Sequence, residues 1–91
     1  MGREGTEMFD YYFTFRSITG AQRGERALQK EGVECILSRS PKKLSQNGCG
    51  YVLKLREKNV YAALIALEHW GVEYGKLYRM GMDGEAEEAG V

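Results

Sequence analysis

The side chain best suited to chemistry in this sequence is the thiol of Cys49, which lies in a polar, basic stretch. The segment 35–56 contains no Asp or Glu and five basic residues, Arg39, Lys42, Lys43, Lys54 and Arg56. Nearby positive charge favours the thiolate over the thiol, and the thiolate is the form that attacks sulfur or selenium electrophiles and binds metals. The pattern therefore predicts a reactive thiol at Cys49.

Gly48 and Gly50 flank this cysteine. Glycine permits a sharp turn, and its amide hydrogen can approach an anion without obstruction by a side chain. We therefore expect Gly48 and Gly50 to help hold a negatively charged sulfur or selenium. The alternative is that the glycines only form a turn and that Cys49 only fills space. We favour the reactive thiol, because cysteines that fill space belong in cores and Cys49 lies in a polar loop.

Other candidates for chemistry are weaker. Cys35 shares a strand face with Val33 and Leu37, so we interpret it as a packing residue. His69, the only histidine, is interpreted in the same way. Cys35, Cys49 and His69 lack the spacing of zinc or copper sites, and no phosphate-binding loop, dinucleotide motif or nucleophile elbow occurs. We predict no metal and no cofactor.

Changes in hydrophobic period indicate the elements that must position these residues. Alternation with a period of two predicts strands at 9–16, 33–38, 51–56 and 72–80. A helix is predicted at 18–31, with Ser17 or Thr19 as its cap and Gly32 as its stop, and a second helix between Asn59 and Gly71. The segment 40–50 is predicted to be a loop.

The order of these elements is βαββαβ, which is the split βαβ pattern. We predict an α+β, ferredoxin-like fold in which a four-stranded antiparallel sheet carries two helices on one face. A chain of 91 residues fits one domain. We place that domain at 9–80, between a disordered N-terminus at 1–8 and a disordered acidic tail at 81–91.

One motif links the loop to a known family. A proline-basic-x-aliphatic-serine stretch is followed by a Cys-Gly pair that opens the next strand, here Pro41, Lys42, Leu44, Ser45, Cys49 and Gly50. This pattern, within a βαββαβ chain, resembles the selenium/sulfur carrier-like family. The sequence departs from that pattern where Ser38 and Ser40 replace a second proline and where Lys42 replaces the usual arginine.

The resemblance implies a carrier protein, rather than a stand-alone enzyme, that holds a persulfide or perselenide on Cys49. Lys42 and Lys43 would then raise the thiolate fraction, and Ser45 would donate a hydrogen bond to the anion. Pro41 and Leu44 would shape the loop. The implied partners are a protein donor, such as a cysteine desulfurase or a selenium-delivery enzyme, and a protein acceptor.

Charge and hydropathy bear on partners and location. Residues 1–80 carry thirteen basic and nine acidic side chains, a net charge of +4, which suits an acidic protein partner or an acidic tail that folds back over the loop. No stretch approaches the roughly 20 apolar residues of a membrane span, and the first residues lack the apolar core of a signal peptide. We expect a cytoplasmic protein that does not bind membranes, and a chain this short would gain stability as a homodimer.

Two other functions remain open. Ferredoxin-like domains often serve as noncatalytic interaction or ligand-sensing modules, in which case Cys49 would be incidental. RNA binding ranks last, because the RNP signature is missing and strand aromatics usually belong to the core. We therefore expect no nucleic-acid partner.

Overall fold

The computed structural model describes residues 10–41, 50–81 and 86–89. The strands are β1 (Asp10–Phe15), β2 (Ile36–Arg39), β3 (Tyr51–Arg56), β4 (Leu77–Met80) and β5 (Ala86–Glu88). The helices are α1 (Ile18–Lys30) and α2 (Val60–His69), and a 3₁₀ turn (Glu57–Asn59) precedes α2. The N-terminal segment 1–8, predicted to be disordered, lies outside the described residues. No helix in the described ranges has the length and apolarity that a membrane crossing requires.

The strands form one antiparallel sheet in the order β2-β3-β1-β4-β5. The α+β class is confirmed, and the order of the first four strands with two helices is compatible with a ferredoxin-like fold. The prediction of four strands is wrong, because β5 adds a fifth strand beside β4.

β5 lies inside the segment 81–91 that the sequence predicts to be disordered. It pairs with β4 in the register Arg79 opposite Glu87, and the Arg79 guanidinium donates to the Glu87 carboxylate at 2.7 Å. The Lys76 ammonium lies 3.5 Å from the Glu88 carboxylate. An edge strand exposes unpaired backbone groups that another segment can satisfy. Backbone pairing and opposite charges therefore hold a segment whose own composition gives no strand signal.

The alternating pattern of the central strands creates two buried clusters. Phe13, Phe15 and Leu53 belong to a core cluster that also contains residues of both helices, so α1 and α2 pack on the same face of the sheet. Tyr12, Val52 and Tyr78 form a smaller buried cluster on the opposite face. The two-residue period thus sorts neighbouring side chains to opposite sides, as predicted.

Helix α1 begins and ends as its sequence indicates. The Ser17 hydroxyl accepts a hydrogen bond from the Gly20 amide at 3.1 Å, which identifies Ser17 as the cap. Gly32 has a φ of 75° and Gly71 a φ of 66°, so both predicted glycine stops adopt the left-handed conformation. The predicted cap of the second helix, Asn59, makes no side-chain capping bond, because the chain enters α2 through the 3₁₀ turn.

The close approach of α1 to the sheet depends on one small residue. A Cβ atom at Gly24 would lie 2.9 Å from both the Leu53 and the Phe15 side chains. Such a distance is shorter than carbon atoms tolerate without movement of the neighbours. Gly24 therefore lets the helix backbone sit directly on β1 and β3.

Candidate functional site

The loop that joins β2 to β3 carries the predicted site, and the structure describes its two ends. Pro41 and Gly50 are the predicted site residues within the described part of the chain. The remaining ones lie outside the described residues: Lys42, Lys43, Leu44, Ser45, Gly48 and Cys49. The geometry of the site is therefore built from the base of the loop.

Hydrogen bonds fix that base. The Ser40 amide donates to the Gly50 carbonyl oxygen at 3.1 Å, which continues the pairing of β2 with β3 beyond the strand ends. On the other side, the Gly50 amide donates to the Phe15 carbonyl oxygen at 3.1 Å. Gly50 is thus held between the strands that flank it, at the C-terminal end of the loop.

These bonds bear on the expected role of Gly50. Its single amide hydrogen is already donated to Phe15, so in this arrangement it is not available to an anion on the loop. Its φ lies outside the left-handed region, and a Cβ atom would lie 3.5 Å from the Arg16 carbonyl oxygen, an ordinary contact. The described geometry therefore gives Gly50 an anchoring role. Holding an anion with this amide would require the bond to Phe15 to open, so the expected part of Gly50 in anion binding stays a prediction.

Several chain segments meet at this edge of the sheet. In the strand register, Tyr51 lies opposite Phe15 on one side and opposite Arg39 on the other. α1 begins three residues after Phe15, and its first turn contains no acidic residue. The N-terminus of a helix carries a partial positive charge. The base of the loop thus lies beside the positive end of α1.

Two arginines flank the base, and sequence reasoning identified only one of them. Arg39 ends β2, and its guanidinium carbon lies 5.9 Å from the centre of the Tyr51 ring. Arg16 follows β1 directly, is exposed, and has its carbonyl beside Gly50. Arg16 is distant from Cys49 in sequence, and only the pairing of β1 with β3 brings it to the loop. The alternating apolar pattern that predicts both strands is the signal from which the position of Arg16 could have been found, once the two strands are paired.

The basic segment of the sequence is divided in space. Lys54 lies in β3, three residues after Tyr51, and its ammonium is 3.7 Å from the Asp10 carboxylate. A stretch without acids in sequence is therefore not free of acids in the fold. Arg16 and Arg39 lie at the edge where the loop begins, whereas Lys54 and Arg56 lie toward the other end of β3.

A hydroxyl group at the loop base is of interest because it is unsatisfied. In the described part of the chain, Ser40 Oγ is a buried side-chain oxygen that makes no hydrogen bond. Leaving such a group without a partner costs about 1–3 kcal/mol. Ser40 precedes Pro41 and shares a backbone hydrogen bond with Gly50, so its hydroxyl is a donor at the start of the loop.

Cys35 has different surroundings. It is half-buried against the core, and burial, helped by the charge of Glu25, raises the pKa of its thiol to about 11. It borders a cavity of about 760 Å³ that Lys54 and Arg56 also line. Its low tendency to ionise agrees with the interpretation of Cys35 as a packing residue.

His69 contacts side chains at the ends of both helices. Its Nδ1 atom lies 3.0 Å from the Glu31 carboxylate, which also accepts a hydrogen bond from the Trp70 indole at 3.0 Å. The indole and imidazole contacts lower the pKa of Glu31. The Lys30 ammonium lies 4.2 Å from the centre of the Trp70 ring. These contacts join the end of α1 to the end of α2, and His69, whose side chain is 65% exposed, takes part in them at the surface.

Among residues 10–41, 50–81 and 86–89, no three or more His, Cys, Asp or Glu side chains form a group that would hold a metal ion.

Comparison with known protein families gives a match. The model of the family described as "Putative Se/S carrier protein-like" matches residues 10–79, a range that extends from β1 into β4. No curated protein and no solved structure shows significant similarity to the chain. The match spans most of the 91 residues and includes both ends of the loop. The chain therefore belongs to the Se/S carrier-like family.

Proposed function

We propose that this protein carries sulfur or selenium as a persulfide or perselenide on Cys49 and passes it from a donor protein to an acceptor protein. The observation that carries the proposal is the anchoring of Gly50 by Phe15 and Ser40 at the edge where α1 begins. One peptide bond joins Cys49 to Gly50, so their Cα atoms are about 3.8 Å apart. The proposal therefore puts the thiol close to this edge of the sheet.

The charges at this edge support a thiolate. Arg16 and Arg39 contribute full positive charges, and the N-terminus of α1 contributes a partial one. Lys42 and Lys43 add two more charges within the loop itself. Positive surroundings lower the pKa of a thiol and increase its thiolate fraction near neutral pH.

Transfer by such a thiolate needs no net oxidation. The Cys49 thiolate attacks the terminal sulfur of a donor cysteine persulfide, a new sulfur–sulfur bond forms on Cys49, and the donor cysteine leaves as a thiolate. In the second step an acceptor thiolate attacks the same terminal sulfur, and the Cys49 thiolate leaves. The protein returns to its starting state, and a selenium atom would follow the same course.

The other loop residues support this chemistry in stated roles. Lys42 and Lys43 act as point charges toward the terminal anion, since an ammonium group lacks the planar fork of arginine. Ser45 donates a hydrogen bond, and Gly48 offers an amide without a side chain. Pro41 and Leu44 shape the loop. The unsatisfied Ser40 hydroxyl is a further donor at its base.

A second function is supported by the cavity of about 760 Å³, which Gln29, Cys35, Lys54, Arg56 and Asn59 help to line. A pocket with several polar groups is the usual form of a small-molecule site. In that case the protein would be a noncatalytic ligand-sensing module, and Cys49 would be incidental.

The ionisation of Cys49 separates the two functions. In a Cys35→Ser variant, the iodoacetamide reaction rate of the remaining thiol is measured from pH 5 to 10. A carrier should reach half its maximal rate well below the ordinary thiol pKa of about 8.5. A midpoint at or above that value would favour the ligand-sensing module.

A further inference from the structure

Helix α2 is apolar on more sides than its packing requires. Its ten residues are VYAALIALEH, and the inner face buries Val60, Ala63, Ala66 and Leu67. On the outer face, Tyr61 is 75% exposed and Ile65 is 67% exposed. A helix that is apolar all round is normally covered on all sides. The outer face of α2 is therefore a candidate contact surface.

The exposed side chains on this face form a line. Lys58, Tyr61, Ile65 and Glu68 are spaced by three, four and three residues, which is the spacing of neighbours along one face of a helix. Lys58 belongs to the 3₁₀ turn that leads into α2, and all four residues are exposed. The line thus has an apolar centre, a positive end and a negative end.

This order of residues is complementary to itself. When two such helices pack antiparallel about a two-fold axis at the level of Ala63, Tyr61 faces Ile65 of the partner subunit. Lys58 then faces Glu68 of the partner subunit, and the same contacts recur on the other side of the axis. A two-fold interface requires this reciprocity, in which the same patch serves both subunits.

We propose that the outer face of α2 binds a second copy of this chain in a two-fold dimer, with Tyr61 and Ile65 at its centre and Lys58–Glu68 pairs at its ends. The contact uses one helix from each subunit, which is less than a standard interface of about 1,600 Å². Dimerisation is therefore weak and depends on protein concentration. None of its contact residues belongs to the segment 40–50, so the dimer stands independently of the proposed function.

Two charge reversals test the arrangement. Lys58→Glu leaves both ends of the line acidic, and Glu68→Lys leaves both ends basic, so each variant alone faces like charges. Sedimentation velocity at low salt should show each variant as a monomer at concentrations where the wild type dimerises. When the two variants are mixed in equal amounts, every end meets an opposite charge, and a heterodimer should form. Circular dichroism of each variant checks that it is folded.

An Ile65→Glu variant tests the apolar centre, and it should shift the dimer dissociation constant by at least tenfold. The proposal is overturned if the folded wild type stays monomeric up to millimolar concentration, because a different partner would then have to cover this face. It is also overturned if mixing the two charge variants produces no heterodimer, or if Ile65→Glu leaves self-association unchanged.

Discussion

We expect the two thiols of this protein to have opposite electrostatic surroundings. Cys35 is half-buried against the core, and the main cause of its raised pKa is desolvation, followed by the negative charge of Glu25. Gly50, the residue after Cys49, is bonded to Phe15 and Ser40 at the edge of the sheet where Arg16 and Arg39 lie and α1 begins. Because only the thiolate reacts readily, the two cysteines should differ in rate at neutral pH.

The first prediction concerns Cys35 in a Cys49→Ser variant. Its thiol pKa is raised to about 11, so the thiol stays protonated near pH 7 and becomes reactive as the pH approaches that value. We expect slow alkylation at pH 7 and about a tenfold rise in rate for each pH unit up to pH 10. Peptide mass spectrometry of iodoacetamide-treated protein measures the rate of Cys35 alkylation at each pH. Rapid alkylation at pH 7 would contradict the burial argument.

The second prediction concerns the arginines at the loop base. Arg16→Gln and Arg39→Gln each remove a positive charge near Gly50, so each should lower the thiolate fraction of Cys49. We expect alkylation at pH 7 to slow by about threefold per substitution, which corresponds to roughly half a pKa unit. The comparison uses the Cys35→Ser background.

Lys54→Gln is the matched control for these variants. It removes the same charge from a residue that is paired with Asp10 further along β3. Its alkylation rate should stay close to that of the parent protein. Equal slowing by all three substitutions would mean that net charge, and not position at the loop base, controls Cys49.

The sequence alone predicts only some of the residues at this site. The basic stretch and the Cys-Gly pair were visible in the sequence, because they are contiguous. Arg16 was not, since only the pairing of β1 with β3 brings it to Gly50. The use of the Gly50 amide by Phe15 was hidden for the same reason. A contact between distant segments depends on register, which a local pattern does not contain.

For the helices and strands, the hydrophobic period and the glycine stops predicted most of the elements and several of their ends. β3 matches its predicted range, and Ser17 caps α1. β2 and β4 begin three and five residues later than predicted, at Ile36 and Leu77. Apolar residues before those strands pack against the core without joining the strand pairing, so alternation alone extended both strands too far.

The third prediction concerns the contact of α1 with the sheet. Gly24→Ala places a Cβ atom 2.9 Å from Leu53 and Phe15, so it should destabilise the fold by about 1–3 kcal/mol. Urea unfolding followed by circular dichroism gives the free energy of unfolding.

Gly20→Ala is its control within the same helix. There the nearest atom to the added Cβ is Ser17 Oγ at 3.4 Å, so the substitution meets no comparable crowding. Alanine is a better helix former than glycine by about 1 kcal/mol, so this variant should be as stable as the wild type or more stable. A loss of stability equal to that of Gly24→Ala would show that the close approach of α1 is not the cause.

At the scale of the whole molecule, β5 lies at one edge of the sheet and β2 at the other. In β5, Glu87 forms an ion pair with Arg79 of β4, and Glu88 forms one with Lys76, the residue just before β4. The sequence could not predict it, because the strand forms only where an edge is available. Exposed ion pairs of this kind contribute about 0–1 kcal/mol each. Backbone hydrogen bonds to β4 must therefore supply much of the free energy that keeps β5 in place.

Distance argues against an internal disulfide. Cys35 precedes Ser40 by five residues of extended chain, or about 16 Å, and Ser40 is bonded to Gly50. Cys49 lies within about 3.8 Å of Gly50 along the chain, whereas a disulfide needs Cα atoms closer than about 7 Å. We therefore expect Cys49 to act without Cys35 as a resolving thiol.

Sulfur loading of the whole protein is the most direct test of the carrier role. Wild-type, Cys35→Ser and Cys49→Ser proteins are incubated with a cysteine desulfurase and cysteine, and their intact masses are measured without reductant. The wild type and Cys35→Ser should each gain one sulfur atom that a thiol reductant removes, whereas Cys49→Ser should gain none. Sulfur uptake by Cys49→Ser equal to that of the wild type would contradict the assignment of the cargo to Cys49.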